Sequence, residues 1–278
     1  MNPIQWFPGH MAKTIKDLKN KFNGIDIIIE LLDARIPLSS RNPIISDLVN
    51  QKHHHIICLT KVDLADPAQT KHWMTFFKKT NTHVIKMNIL KQHGIKELLQ
   101  TCTQLSEKKR QSRRFYISKV MICGIPNVGK SALINKLAKK RAATVQNKPG
   151  VTKQVRGVMI DKFIELIDTP GILWPKINDP ETGIKLALTK AVKQTIVDDT
   201  HLVDWLLKFC ITYYSSQLQN RYKLSQTQLI DAEIISHIGH NMNWIKQNGE
   251  LNETKIYRSI IEDFQTSKLG LMTLDTLK

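Results

Sequence analysis

The chain is predicted to fold as an α/β domain, with a mostly parallel sheet and helices on both faces, followed by a small all-α domain. Three observations predict this. Apolar strand-like runs alternate with helical patterns through residues 1–178. A glycine-rich loop lies between one such strand and one such helix. After Pro175 the alternation stops and apolar residues recur at helical spacing to the end.

The strands are expected at Ile25–Leu32, His55–Leu59, His83–Met87, Lys119–Cys123, Val155–Ile160 and Phe163–Ile167. Helices are expected at Lys13–Phe22, Ala68–Lys79, Ile95–Lys108 and Ser131–Lys139. Asp161-Lys162 reads as a hairpin turn, so one strand should run antiparallel. Residues 177–183 carry Asn, Asp, Pro and Gly and read as a polar linker. Beyond it, Leu202, Trp205, Leu206, Phe209 and Cys210 form one apolar helical stripe, extended by Tyr213-Tyr214. Ile230, Ile234, Ile235 and Ile238 form a second, and Ile256, Ile260, Ile261 and Phe264 a third. The division is therefore 1–178 and 179–278.

Gly124-Ile125-Pro126-Asn127-Val128-Gly129-Lys130-Ser131 fits the phosphate-binding loop G-x-x-x-x-G-K-[ST]. Its glycines let successive N–H groups turn toward phosphate oxygens. Lys130 would reach the β- and γ-phosphates, and the Ser131 hydroxyl would bind Mg²⁺. The strand before it and the helix after it complete an anion site. Downstream, Asp168-Thr169-Pro170-Gly171 closes another apolar run. Asp168 at a strand end would hold Mg²⁺ through water, and the Gly171 N–H would sense the γ-phosphate. Between them, Lys148–Lys153 is a Pro/Gly loop in which Thr152 could add a hydroxyl to Mg²⁺, with Thr144 as the alternative.

Upstream of all these, His55–Leu59 runs into Thr60-Lys61-Val62-Asp63. This tetrapeptide resembles the guanine-reading N-K-x-D motif. The Asp63 carboxylate would accept from guanine N1–H and N2–H₂, donors that adenine lacks. The Lys61 stem would lie over the base. Thr60 stands where Asn is usual, with a shorter reach. Base motif, phosphate loop, Thr152 loop and Asp168–Gly171 thus occur in circularly permuted order.

With this order, the chain resembles the YlqF/RbgA family of circularly permuted ribosome-assembly GTPases. The resemblance also rests on Trp6-Phe7-Pro8-Gly9-His10-Met11, Leu32-Asp33-Ala34-Arg35-Ile36-Pro37, Ser40-Arg41-Asn42 and Ile172-Leu173-Trp174-Pro175. It implies a circularly permuted P-loop GTPase domain and GTP hydrolysis coupled to late assembly of the large ribosomal subunit. It implies GTP or GDP as ligand with Mg²⁺, and K⁺ held near the phosphates with help from Asn127. Asn127, Val128 and Gly129 belong to the nucleotide cradle, and Asn88 lies in the loop that walls the base. The water-positioning Gln after the glycine of D-x-x-G is replaced by Ile172, so turnover alone should be slow. The resemblance points to His10 as the group that supplies the missing function, with an rRNA group as the alternative. It assigns residues 179–278 to rRNA contact.

The formal net charge of +17 over 278 residues favours polyanions, RNA first and an anionic membrane second; the resemblance implies rRNA and the large subunit or its precursor. Lys108–Arg114, Lys136–Arg141 and Lys13–Lys21 carry much of the charge. No apolar run approaches about 18 residues, and the start lacks a signal-peptide core. Cys58, Cys102, Cys123 and Cys210 are scattered without metal spacing. A cytoplasmic protein, monomeric away from the ribosome and without stable membrane association, is expected. Two other classes stay open: a nucleotide-responsive RNA-binding scaffold with negligible turnover, and a GTPase acting on a membrane or signalling partner.

Overall fold

The computed structural model describes residues 4–5, 22–49, 52–78, 82–112, 115–145, 157–167, 176–177, 179–192 and 197–277. In chain order the elements are β1 (Ile4–Gln5), β2 (Ile27–Asp33), α1 (Pro43–Leu48), β3 (His54–Thr60), α2 (Pro67–Lys78), β4 (His83–Lys86), α3 (Ile95–Ser112), β5 (Ser118–Gly124) and α4 (Lys130–Val145). They continue with β6 (Val158–Asp161), β7 (Ile164–Ile167), β8 (Lys176–Ile177), α5 (Pro180–Leu188), α6 (Asp199–Tyr213), α7 (Ser215–Tyr222), α8 (Gln226–Leu229), α9 (Ile234–Asn241) and α10 (Glu253–Gln265).

Six strands form one sheet in the order β4-β3-β2-β5-β7-β6. All neighbours are parallel except β6, which pairs antiparallel with β7. The expected hairpin is present; its turn is Lys162-Phe163, one residue later than the sequence suggested. β2 reads IIIELLD and every residue in it is buried. A strand covered on both faces must be apolar almost throughout. One face packs Ile28 against Ile45 of α1, and Leu32 against Trp73 and Phe77 of α2. The other packs Ile27, Ile29 and Leu31 with Leu98 and Leu105 of α3 and Leu133 and Leu137 of α4. Each such buried side chain contributes roughly 1.5–3 kcal/mol. Truncating Trp73 to Ala would cost about 3–5 kcal/mol.

The helices change face between β2 and β5. Strand order reverses there, and open α/β sheets bind ligands outside the carboxyl ends of the strands at such a point. Asp33 aligns with Thr60, Leu31 with Gly124 and Leu59 with Lys86, so every loop that follows these strands leaves from one edge.

Two expectations change in the helical region. Residues 177–183 are not a linker: Asp179 is the N-cap of α5, accepting from Glu181 N and Thr182 N at 3.2 and 3.0 Å, with Pro180 in the first turn. Asp-Pro signals a helix start as well as a turn. Ile230 falls outside α9 and is 74% exposed; the apolar stripe begins at Ile234. The α6 and α10 stripes bury Leu202, Leu206, Cys210, Ile256, Ile260, Ile261 and Phe264; Tyr214 extends the first, but Tyr213 points off it and is 57% exposed. All four cysteines are free and buried, and burial raises each thiol above its usual range.

After α10 the chain returns to the sheet. Met272 N, Thr273 Oγ1 and Leu274 N donate to Leu64 O, Ala34 O and Arg35 O. The Asp275 carboxylate accepts from Leu38 N, Ser39 N and Ser39 Oγ at 2.7–2.8 Å and pairs with Lys185 at 3.0 Å.

Candidate nucleotide site

The base motif begins at the last residue of β3. Thr60 is wholly buried, and its hydroxyl lies 2.9 Å from Val128 O and 3.1 Å from Leu32 O. Its one proton can serve either carbonyl. The Val128 contact spans 68 positions and joins the base motif to the phosphate loop. Thr60 therefore makes a short bridge where a longer amide is usual. The following residue, Lys61, turns the chain with a φ of +56°. Its ammonium lies 2.9 Å from Asp33 Oδ2. Val62 N donates to Met87 O and Leu64 N to Lys61 O, which fixes the loop. Asp63 projects from it into solvent, close enough for its charge to help hold Arg35 protonated.

The phosphate loop leaves β5 at Gly124. A Cβ there would meet Leu31 O at 2.7 Å, so the close approach to β2 requires glycine. Gly129, at φ +109°, lies against Ile89, whose Cδ1 would be 2.9 Å from an added Cβ. Lys130 is 8% exposed, and its ammonium donates to Gly124 O at 3.0 Å and Ile125 O at 2.8 Å. The ammonium is thus held over the loop it would share with phosphate oxygens. Ser131, the second residue of α4, is exposed at the helix N-terminus, where free N–H groups and the helix dipole favour anions. Its hydroxyl is the hard oxygen donor that Mg²⁺ takes. Asn127 adopts φ +57° and is exposed; its amide donates to Thr189 O, just beyond α5, at 3.4 Å.

The third wall is the loop after β4. Asn88 is buried and pairs with His93 across the loop, and its Oδ1 accepts from Lys91 N at 3.0 Å. The Asn88 side chain closes its own loop and holds Ile89 against the phosphate loop. Thr144 lies in the last turn of α4. His10, Thr152, Asp168 and Gly171 lie outside the described residues. β1 and β8 frame two of the segments that carry them: Ile4 pairs with Ile177 and Gln5 with Lys176.

One part of the edge has no role in the sequence reading. Asp33, at the end of β2, is 1% exposed and takes both donors of the Arg35 guanidinium, Nε at 2.9 Å and Nη2 at 2.8 Å. Burial works against its charge, but Arg35 and Lys61 outweigh burial and hold the carboxyl far below the usual carboxylate range. An Asp ending an apolar strand, with Arg two residues on, was visible in the sequence. Its pairing with Lys61 depends on the β2–β3 register and was not.

The chain is similar to known GTPases. A family model described as "RsgA GTPase" matches residues 27–178, and one described as "50S ribosome-binding GTPase" matches residues 119–253. The chain is 39% identical to "Ribosome biogenesis GTPase A" of Bacillus cereus, over 98% of this chain and 94% of the relative. It is 34% identical to "Mitochondrial GTPase 1" of Schizosaccharomyces pombe, over 99% of this chain and 90% of that one. The fold matches that of GNP-bound YlqF from T. maritima with a TM-score of 0.64, covering 95% of this chain and 97% of the other at 23% identity.

Proposed function

The chain belongs to the ribosome biogenesis GTPase A family, the YlqF/RbgA group of circularly permuted GTPases, and on that premise we propose how its residues carry the family's work. It is a GTP hydrolase and a ribosomal-subunit assembly factor. The observation that supports the site assignment is the Thr60–Val128 contact, which joins the early Thr60–Asp63 segment to the later phosphate loop.

In this reading, Asp63 accepts from the guanine N1–H and N2–H₂ and the Lys61 stem covers the base. The Asn88 loop forms the opposite wall, and Thr60 keeps both walls in register with the phosphate loop. The N–H groups of residues 127–131 cradle the phosphates, and Lys130 exchanges two loop carbonyls for β- and γ-phosphate oxygens. Ser131, Thr152 and Asp168 would hold Mg²⁺ directly or through water, and Gly171 N–H would sense the γ-phosphate. When bound, Mg²⁺ neutralises charge developing on the phosphoryl oxygens. K⁺ beside Asn127 would add to this; Asn127 is exposed at the loop tip, which suits the role.

Ile172 cannot orient water, so another group must. We assign that to His10, whose neutral imidazole can accept from the attacking water. The β1–β8 pairing supports it. His10 is five residues past Gln5, and Gly171 five before Lys176, so each lies within roughly 17 Å of chain from one anchor.

Residues 1–178 act as the GTPase domain and residues 179–278 as the part that docks on rRNA of the large subunit or its precursor. The positive charge supports a polyanionic partner. The GTP state binds the immature particle, and hydrolysis releases a cytoplasmic monomer with no membrane attachment. Single-turnover hydrolysis with and without large subunits tests this. Stimulation by the particle is expected; an unchanged rate would leave a nucleotide-responsive scaffold instead.

A further inference from the structure

Asp33 has both carboxylate oxygens committed before any nucleotide arrives. Oδ1 accepts from Arg35 N and Nε, and Oδ2 accepts from Arg35 Nη2 and lies 2.9 Å from Lys61 Nζ. Asp33 N donates to Ser40 Oγ at 3.1 Å, which fixes the backbone beneath it. Arg35 in turn lies with its guanidinium 5.6 Å from the centre of the Phe264 ring on α10, and its carbonyl accepts from Leu274 N at 2.7 Å. Lys61 is the long, flexible member of this group, and it is 24% exposed.

We infer that Asp33 is a positioning residue for guanine recognition: it anchors the Lys61 ammonium so that the aliphatic stem is already in place as one wall of the base slot. This rests on the reading of Lys61 as the residue over the base. Two physical consequences follow. A free lysine would lose its rotamer freedom when the base enters, whereas an anchored one has lost it on folding. The anchor also holds the ammonium away from Asp63, whose carboxylate must stay open to the two guanine donors. Arg35 makes the anchor stiff, because a bidentate fork leaves the carboxylate no other orientation. Through Phe264 and Leu274 it also links the base wall to the helical region.

The test is a double-mutant cycle on the full chain, reading GDP and non-hydrolysable GTP analogue affinity by calorimetry and KM and kcat by steady-state turnover. Asp33→Asn is expected to weaken both nucleotides alike by about tenfold, raising KM while kcat at saturation holds. Added to Lys61→Ala, it should cost nothing further. Asp33→Asn alone leaves Arg35 buried without its partner, so the Asp33→Asn/Arg35→Met pair, which removes both charges, is measured beside it, with melting curves. If the folded pair binds guanine nucleotides like the parent while Lys61→Ala binds weakly, the anchor is overturned and the Lys61 reading stands. Full additivity with Lys61→Ala also overturns it. If Lys61→Ala itself binds normally, the Lys61 reading fails and the proposal goes with it.

Discussion

The nucleotide edge of the sheet and the seam where the C-terminal segment returns each bury a carboxylate, and the two are satisfied by different partners. Asp33, at the edge, is ringed by two cations and a single backbone turn. Asp275, at the seam, takes two backbone N–H groups and a hydroxyl as well as Lys185. Of the groups around Asp33, Lys61 is part-exposed at 24%. Asp275 sits 3% exposed among donors from the turn after β2, with Trp73 Nε1 donating to its carbonyl. It joins residues 271–277 to the sheet, and with Lys185 it lines a cavity. Tyr214 belongs to the same seam: it accepts from Thr273 N, and burial pushes its hydroxyl up to about 12.

Breaking each side separately tests that contrast. The largest effect is expected from Asp63→Asn, which presents an amide N–H₂ to guanine donors. Affinity for GDP should fall by about 10²–10⁴-fold and return in part for xanthosine diphosphate. Because Asp63 is exposed, the melting temperature should hold; calorimetric titration with both nucleotides beside a thermal melt reads both. Asp275→Ala should do the reverse. It leaves the N–H groups of Leu38 and Ser39 without their acceptor and Lys185 with Glu181 alone, at about 3 kcal/mol, or a fall of roughly 6–12 °C in melting temperature. GDP affinity of the folded fraction should stay within twofold or so of the parent. A large loss of affinity would mean that the seam and the edge are one unit.

The phosphate loop and Thr60–Asp63 could be read from the sequence because both are local patterns that fix their own backbone. Their meeting was inferred from the permuted order, and the Thr60–Val128 bond shows it. Other features failed to appear in the sequence for identifiable reasons. Asp179-Pro180 serves a turn and a helix start equally, and only the two N–H groups bonded to Asp179 decide. Ile230 matches the apolar period of its neighbours, yet it lies at the end of α8, where the helix has stopped. The seam joins Asp275 to residues 236 and 237 positions away, beyond any local pattern. Asp33 lies in the Leu32–Pro37 stretch, a local pattern, but its partner Lys61 across the β2–β3 ladder is a matter of register.

Acid should weaken the Asp33 ion pair. Asp33 titrates lower folded than unfolded, so it stabilises the fold fully above the ordinary carboxylate range near pH 4. That contribution fades as pH falls below that range toward the folded value. Stability measured by denaturant from pH 5 down to 2.5 should therefore fall less steeply in the Asp33→Asn/Arg35→Met pair than in the parent. Equal slopes would show that the ion pair adds little to acid sensitivity.

The smallest effect belongs to Thr60. Thr60→Val keeps the shape but removes the proton shared by Val128 O and Leu32 O. One buried carbonyl loses its donor, which costs about 1–2 kcal/mol in stability. The phosphate loop also loses its tie to the base motif, so GDP affinity should drop by roughly three- to tenfold. Thr60→Ser keeps the hydroxyl and should recover most of both. If Val and Ser behave alike, the bridge is packing rather than a hydrogen bond. The edge would then be held by Ile89 against Gly129 and by the Asp33 anchor alone.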